Sequence, residues 1–373
     1  MKKVLIATID FPPICGGVAN YLAGLAENLP KDKVVVLAPS ADNTEEKQYK
    51  IYRKKLITEI FFLWPKWLPL VYHLFKIIKK EKIETILVGQ VLPVGTAVFF
   101  LNKILGIPYY VSCHGMDILM ANETFRKRKL LNKILEQAKG VIANSEFTKN
   151  ELIKLGVLSE KITIIYPCIK SVEPASEESL KNISENYSLE NKKIALTVGR
   201  LVERKGHSKV IEALPIVLEK IPEARYVIVG DGPERKRLEE KARDLNLENK
   251  VIFTGRVGDS ELPAFYQLSD IFVTVSRQIG GDVEGFGIVY LEANQYGKPV
   301  VAGRSGGASE AVVEGFNGLL VDPGSPEDIA GAMIKLLTDN ELALRLGKQG
   351  KERVEREFLW ETGAKKLEEI LDR

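Results

Sequence analysis

The sequence predicts an α/β protein built from two Rossmann-like domains in tandem, and three observations predict it. Its 373 residues exceed one ordinary domain and suit two. Short continuous apolar runs alternate with segments of helical period almost from end to end, the pattern of parallel sheets covered on both faces. The alternation stops once, in a polar stretch over 169–191, and then restarts.

In the first half, strands are expected over 4–10, 34–39, 85–90, 109–114, 141–145 and 162–166, with amphipathic segments between most of them. Residues 169–191 are rich in Ser, Glu and Asn and predict a linker followed by a short peripheral helix. Strands resume over 194–199, 226–230, 251–254, 271–275, 299–302 and 318–321, with helices between them such as 234–245 and 326–337. The chain closes in a helical tail over 340–373, in which Phe358 and Trp360 mark a kink. Beyond that kink, 361–371 is expected to cross back onto the first domain. The expected division is therefore 1–168, a linker 169–191, a second domain 192–356 and a terminal helix 357–373. Two such domains predict a cleft between the carboxyl ends of two parallel sheets, where ligands of these sheets bind.

Composition narrows the function. The chain carries 53 basic and 50 acidic residues, a net +3, which argues against a dedicated nucleic-acid binder. A hydrophobic fraction of 45% with 28% charged residues excludes a mainly disordered chain. The three cysteines, Cys15, Cys113 and Cys168, show no metal-ligand spacing and predict reduced thiols in a cytoplasmic protein. The first strand begins almost at Met1, so no signal peptide is expected. The most apolar stretch, 60–78, is broken by Pro65, Lys66, Pro69, His73 and Lys76, so no transmembrane helix is expected either.

The candidate site residues lie at strand ends. The first strand leads through Asp10 to Gly16-Gly17 and a helix. This is not G-x-G-x-x-G, which argues against a dinucleotide cofactor. Two glycines at a helix start let an anion approach backbone N–H groups; the alternative is a tight turn. His114 ends the strand 109–114 and is followed by Gly115; it is a cleft-facing group or a satisfied structural histidine. His73 and His207 are expected to be structural. After the strand 194–199 come Arg200 and Lys205, two cations suited to a diphosphate, or else part of a solvated basic loop with Arg204. The richest segment runs from Gly280 to Ala293: Glu284 sits in a glycine-flanked loop, and Glu292 lies on the helix that starts near Gly287. Phosphate suits that helix start, and carboxylates accept hydrogen bonds from vicinal hydroxyls. The run from Gly303 to Glu310 is a further glycine-rich turn.

These residues resemble a known group. Glu284 and Glu292 reproduce the E-x(7)-E motif of the family 4 retaining glycosyltransferases, which have the GT-B fold. The resemblance covers nearly the whole chain through Gly16-Gly17, His114, Arg200 with Lys205, the turn 229–234 and the terminal helix with Trp360. The run from Asp282 to Ala293 is most similar to the phosphatidylinositol mannosyltransferase branch, whose donor is GDP-mannose. The segment from Pro167 to Ser171 departs from the family in lacking its Gly-Val-Asp. The resemblance implies that Arg200 and Lys205 bind the donor diphosphate and Glu292 the ribose hydroxyls. It implies that Glu284, with the N–H groups of Gly285, Phe286, Gly287 and Ile288, holds the sugar and phosphate, and that His114 contacts the transferred sugar. Gly16 and Gly17 would let the first loop approach the diphosphate, and Arg256 and Val257 would lie beside the base. The implied reaction is metal-independent transfer with retention at the anomeric carbon. No cofactor is expected: the nucleotide diphosphate sugar is the co-substrate, with GDP-mannose favoured over a UDP-sugar. Two cations and a helix start can carry leaving-group charge in place of a metal.

Residues 52–82, opening on Tyr52 and closing on Lys82, suit an anionic membrane surface. They set Phe61, Phe62, Trp64, Trp67, Tyr72 and Phe75 among Arg53, Lys54, Lys55, Lys66, Lys76, Lys79 and Lys80. Arg126 to Lys129 adds a second basic run. The alternative is an ordinary sheet-covering helix with solvated lysines. The expected partners are a nucleotide-sugar donor, a glycan or lipid-linked acceptor and this membrane surface, with no nucleic acid. A soluble acceptor and a non-catalytic sugar-nucleotide-binding protein are the alternatives; intact Glu284, Lys205 and His114 argue against the second.

Overall fold

A computed structural model describes residues 1–14, 16–42, 46–58, 65–122, 124–280 and 282–372. The chain divides into two compact units, Met1–Cys168 with Leu359–Arg373, and Ile169–Phe358.

The first unit holds a seven-stranded sheet: β1 (Val4–Ala7), β2 (Val34–Pro39), β3 (Lys50–Lys54), β4 (Thr85–Val88), β5 (Tyr109–Cys113), β6 (Gly140–Ala143) and β7 (Ile162–Ile164). Its order is β3-β2-β1-β4-β5-β6-β7, and every pair is parallel. The chain runs outward from β1 in one direction, then returns to β4 and runs outward in the other. The loops after β1 and β4 therefore flank the switch point where such sheets bind ligands. β1, β4, β5 and β6 are buried throughout, which is why they appear as continuous apolar runs. β3 is an exposed edge strand, KIYRK, and hydropathy does not reveal it; only its register with β2, Val35 opposite Lys50, defines it. Glu81, at the end of the helix Leu68–Glu81, fastens this edge. Its carboxylate accepts from Lys50 Nζ at 2.6 Å, from the Tyr52 hydroxyl and from Lys3 Nζ at 3.2 Å. The bonds from Lys50 and Tyr52 hold it down at about 2 against the effect of burial.

Part of the expected interfacial segment belongs to this edge. Tyr52 and Arg53 belong to β3, and Arg53 stacks on the Phe11 ring at 5.5 Å while bonding the Pro12 carbonyl. Trp67 stacks on Phe100 at 5.5 Å. Phe61, Phe62 and Trp64 lie outside the described residues. What faces outward is the helix surface of Leu68, Tyr72 and Phe75, with exposures of 41%, 53% and 40%.

The tail breaks at Phe358, between the helices Asn340–Glu357 and Trp360–Asp372. The second of these belongs to the first unit and packs on the helix Gly17–Asn28. Gly24 makes the room: a Cβ there would lie 2.1 Å from Trp360 Cε2. Gly24→Ala must displace the indole and is expected to cost about 1–3 kcal/mol. Thermal melting and proteolysis of the terminal helix check this, and an unchanged melting curve would mean that the indole is not closely seated.

The second unit holds a six-stranded parallel sheet: β8 (Lys193–Val198), β9 (Ala224–Val229), β10 (Val251–Gly255), β11 (Ile271–Thr274), β12 (Val300–Gly303) and β13 (Gly318–Val321). Its order, β10-β9-β8-β11-β12-β13, puts the switch point between β8 and β11. Residues 169–191, expected as a linker, fall within this unit. Their helix Glu177–Asn186, capped by the Ser176 hydroxyl, packs on the helix Leu262–Leu268, and the Tyr187 and Phe265 rings lie 5.5 Å apart. Ile183 and Leu189 are buried and anchor this helix, the short peripheral helix expected within the stretch. Among the described residues no helix is long and apolar enough to cross a membrane.

Candidate active site

In the second unit, Lys205 and Glu284 come from the loops on either side of the switch point. Gly206 closes the first loop with φ +75°, and a Cβ there would lie 2.3 Å from the Val275 carbonyl oxygen. Only glycine lets this turn press against the end of β11. Lys205 Nζ then reaches Glu284 Oε2 at 2.5 Å, Arg204 Nη1 reaches it at 2.8 Å and Ser276 Oγ at 3.3 Å. Arg204 Nε also meets Asp282 Oδ1 at 2.8 Å. The Lys205 and Glu284 side chains are only 11% and 13% exposed, so these charges act in a weakly screened setting. Burial opposes ionisation of Glu284, yet Lys205 and Arg204 outweigh it and hold the carboxyl at about 2. Burial likewise works against the Arg204 charge, and Glu284 and Asp282 raise it above its ordinary value.

The Glu284 loop rests on a second glycine turn. Gly307 N donates to the Glu284 carbonyl at 2.9 Å. A Cβ on Gly306 or Gly307 would strike the Glu284 or Gly285 carbonyl at 2.4 or 2.1 Å. The turn after β12 is thus the floor of the Glu284 loop, with backbone laid against backbone. Phe286 is buried against Phe358, 5.7 Å between rings. Gly287, at φ 89°, opens the helix Ile288–Gln295, whose first turn has no side-chain cap. Inside that helix, Glu292 Oε2 accepts from the Tyr266 hydroxyl at 2.7 Å. Burial pushes Glu292 above the usual carboxylate range, with Tyr266 and Lys205 opposing. The two glutamates of the motif therefore differ: one is locked as an anion, the other is eased toward its neutral form.

Arg200 stands apart. Its side chain is exposed, and no hydrogen bond or ion pair holds it among the described residues, while its carbonyl faces the ring of buried His207 at 3.4 Å. Arg204, noted in the sequence only as part of a basic run, takes the place beside Lys205. The signal that could have found it is the pair Asp282 and Glu284, whose two carboxylates call for a second cation. Arg256 is exposed and Val257 half-buried just beyond Gly255, whose φ is +76°. Gly281 lies outside the described residues.

In the first unit, Gly16 and Gly17 precede and open the helix Gly17–Asn28, which has no side-chain cap. A Cβ on either would meet nothing within 4 Å, and Gly16 at φ 165° is ordinary extended backbone. The chain's own packing does not require glycine at either position. His114 follows β5 and is 8% exposed. Its Nε2 lies 3.1 Å from the Gly89 carbonyl and 3.2 Å from Ser112 Oγ, and its backbone N–H donates to Asp117 Oδ1 at 2.8 Å. Burial lowers the imidazole pKa, with Asp117 opposing. Sequence reasoning passed over Gln90, whose buried amide accepts from Ile9 N at 3.1 Å and donates to Asp10 Oδ2 at 3.2 Å, tying the loops after β1 and β4 together. Cys113 and Cys168 are free and buried, and burial pushes the Cys168 thiol up to about 12; Cys15 lies outside the described residues. Among the described residues no group of three or more His, Cys, Asp or Glu could hold a metal ion.

Two parallel-sheet units with charged, glycine-rich loops at the switch points have the architecture of α/β proteins that hold ligands at the carboxyl ends of their strands. Residues 179–353 match the family described as glycosyl transferases group 1, and residues 15–171 match glycosyltransferase family 4. A GDP-mannose-dependent alpha-(1-6)-phosphatidylinositol monomannoside mannosyltransferase of Mycobacterium tuberculosis is 30% identical over 387 residues, covering 100% of this chain and 98% of its own. A GDP-mannose-dependent monoacylated alpha-(1-6)-phosphatidylinositol monomannoside mannosyltransferase of Corynebacterium glutamicum is 30% identical over 381 residues, covering 99% of this chain and 98% of its own. Among solved structures, HepE of Anabaena in complex with UDP and glucose superposes over 100% of both chains with a TM-score of 0.84 at 23% identity, a likeness of fold. The chain belongs to glycosyltransferase family 4, with the GT-B fold, and is a hexosyltransferase.

Proposed function

We propose that the protein transfers mannose from GDP-mannose to a lipid-linked acceptor at the cytoplasmic face of a membrane, without a metal and with retention of the anomeric configuration. The observation that carries this reading is the buried cluster of Lys205, Arg204 and Glu284 beside the uncapped helix start at Gly287. As the sugar–phosphate bond breaks, negative charge grows on the departing diphosphate. Lys205, with Arg200 from the exposed side of the same loop, meets that charge, and the N–H groups of Gly285, Phe286, Gly287 and Ile288 receive phosphate oxygen. Each charge-assisted hydrogen bond contributes roughly 1.5–3 kcal/mol, so two supply about two to four powers of ten in rate. Glu284, held ionised, accepts from sugar hydroxyls; Glu292 accepts from the ribose. Gly16 and Gly17 admit the diphosphate to the first loop, His114 contacts the transferred sugar, and Arg256 and Val257 flank the base. The two mannosyltransferase relatives, GDP-mannose-dependent and acting on phosphatidylinositol mannosides, support the donor and the acceptor.

Incubation of the full chain with GDP-mannose or UDP-glucose and a phosphatidylinositol mannoside, with and without excess chelator, tests this. Mannosyl transfer in chelator, with the donor's anomeric configuration by NMR, is expected. Loss of turnover in chelator, an inverted product, or transfer from UDP-glucose alone would each overturn the corresponding element.

The outward face of the helix Leu68–Glu81 supports a membrane-borne acceptor. Lys76 Nζ sits over the Tyr72 ring at 4.5 Å and Lys79 Nζ over the Phe75 ring at 5.3 Å, aromatic bodies carrying cationic heads. The exposed run Arg126 to Lys129 follows exposed Phe125. Each basic residue near an anionic surface adds about 1 kcal/mol, a contribution that salt screens. Vesicle sedimentation is expected to show Lys76→Glu/Lys79→Glu losing low-salt binding, and Tyr72→Ala/Phe75→Ala losing the salt-resistant part. Wild-type protein left in the supernatant with anionic vesicles at low salt would favour a soluble acceptor.

A further inference from the structure

We infer that His114 is held as one tautomer, protonated at Nε2 and bare at Nδ1, by the Gly89 carbonyl, with Ser112 and Tyr21 as positioning residues, so that it serves its ligand as a hydrogen-bond acceptor. The Gly89 carbonyl oxygen is 3.1 Å from Nε2 and can only accept. A lone pair on Nε2 would face a lone pair on oxygen in a buried setting, so the proton belongs on Nε2. In the neutral ring Nδ1 then carries no proton.

The surrounding hydrogen bonds have a single direction. The Tyr21 hydroxyl donates to the Ile165 carbonyl at 3.0 Å, another group that only accepts. Its oxygen is therefore free to accept from Ser112, whose hydroxyl opposes the rise that burial gives the Tyr21 pKa. With its proton turned to Tyr21, Ser112 Oγ offers a lone pair to Nε2–H at 3.2 Å. The chain of donors thus ends on two backbone carbonyls, Gly89 and Ile165, and neither end can be reversed. Ser112 and Tyr21 are each 1% exposed, so water does not compete. The Tyr21 ring meets the imidazole edge-on at 5.3 Å and the Trp360 indole at 5.9 Å, so the returning helix braces the assembly. The charged and titratable groups about the ring are Asp117 on the helix Met116–Asn122, Asp10 in the loop after β1 and Tyr21 on the helix Gly17–Asn28. The two carboxylates favour the imidazolium, but burial outweighs them and lowers the imidazole pKa, so the neutral ring dominates at pH 7 and above.

A bare Nδ1 takes a hydroxyl hydrogen and does not donate to a phosphate or a leaving oxygen. His114 is thereby restricted to recognising the donor's sugar, a consequence that rests on the proposed function. The tautomer itself does not, and is tested first. Nitrogen-15 NMR of the full chain labelled at histidine observes only His73, His114 and His207, with His114→Asn to assign the signal. The expected result is a protonated Nε2 and an unprotonated Nδ1 from pH 7 to 8 in the ligand-free protein. A protonated Nδ1, or averaging of the two tautomers, would overturn the inference whatever the enzyme's activity. In Ser112→Ala, the Nε2 proton is expected to exchange with water at least tenfold faster, and the KM for GDP-mannose to rise about three- to tenfold. Ser112→Thr, which restores the hydroxyl, is expected to reverse both changes. Unchanged proton exchange in Ser112→Ala would remove Ser112 from the network.

Discussion

Lys205→Ala is expected to lower turnover with GDP-mannose by about two to three powers of ten, the loss that follows removal of one donor to developing negative charge. Lys205 is 11% exposed and bonded to Glu284, so its ammonium is already stripped of most water before a donor arrives. Little solvent has to reorganise when the diphosphate departs. Arg204 keeps its own bond to Glu284 at 2.8 Å, so Glu284 retains a cationic partner in the variant. Lys205→Arg is not expected to restore activity, because a planar fork cannot take the place of a compact ammonium. Arg200→Ala provides the contrast: with an exposed side chain it should leave the melting temperature unchanged while still lowering turnover. Steady-state kinetics and melting curves check both variants, and wild-type turnover in Lys205→Ala would remove its assigned role.

Glu284→Gln is expected to combine lost turnover with a loss of stability that depends on pH. Glu284 in the folded chain lies at about 2, below its ordinary 4.5. A lowered carboxyl contributes stability that is fully present above the unfolded value and is lost as pH falls through the folded one. A carboxyl lowered from 4.5 to about 2 contributes roughly 3 kcal/mol at neutral pH. Glutamine removes this and leaves Lys205 without its carboxylate, while Arg204 keeps only Asp282. Urea denaturation at pH 7 should therefore show the variant less stable by about 3 kcal/mol, and the gap should close between pH 4.5 and 2. A gap that does not vary with pH would mean that the ion pairs do not stabilise the unit.

Much of this architecture was visible in the residues because burial on both faces leaves a continuous apolar run. β1, β4, β5 and β6 are such runs. β3 was hidden because its outward surface meets water and its few anchoring residues have no period. At the site, Glu284, Lys205 and the helix start at Gly287 could be picked out because glycines punctuate the loops that carry them. Arg204 could not be ranked above Arg200, since both are arginines in one loop and only the turn at Gly206 aims one of them inward.

The sequence by itself determined the two α/β repeats, the turns that only glycine can make and the loops at strand ends where charge collects. These are local properties, set by side-chain period and backbone freedom. The tertiary structure alone decided which partners those loops acquire. Glu284 meets Arg204 across 80 positions, and the Tyr21 hydroxyl meets the Ile165 carbonyl across 144. The Trp360 indole settles in the space at Gly24, and the Gly89 carbonyl fixes the proton on His114. Each depends on the approach of segments remote in the chain, which is set by how the sheets order their strands and not by any residue's immediate neighbours.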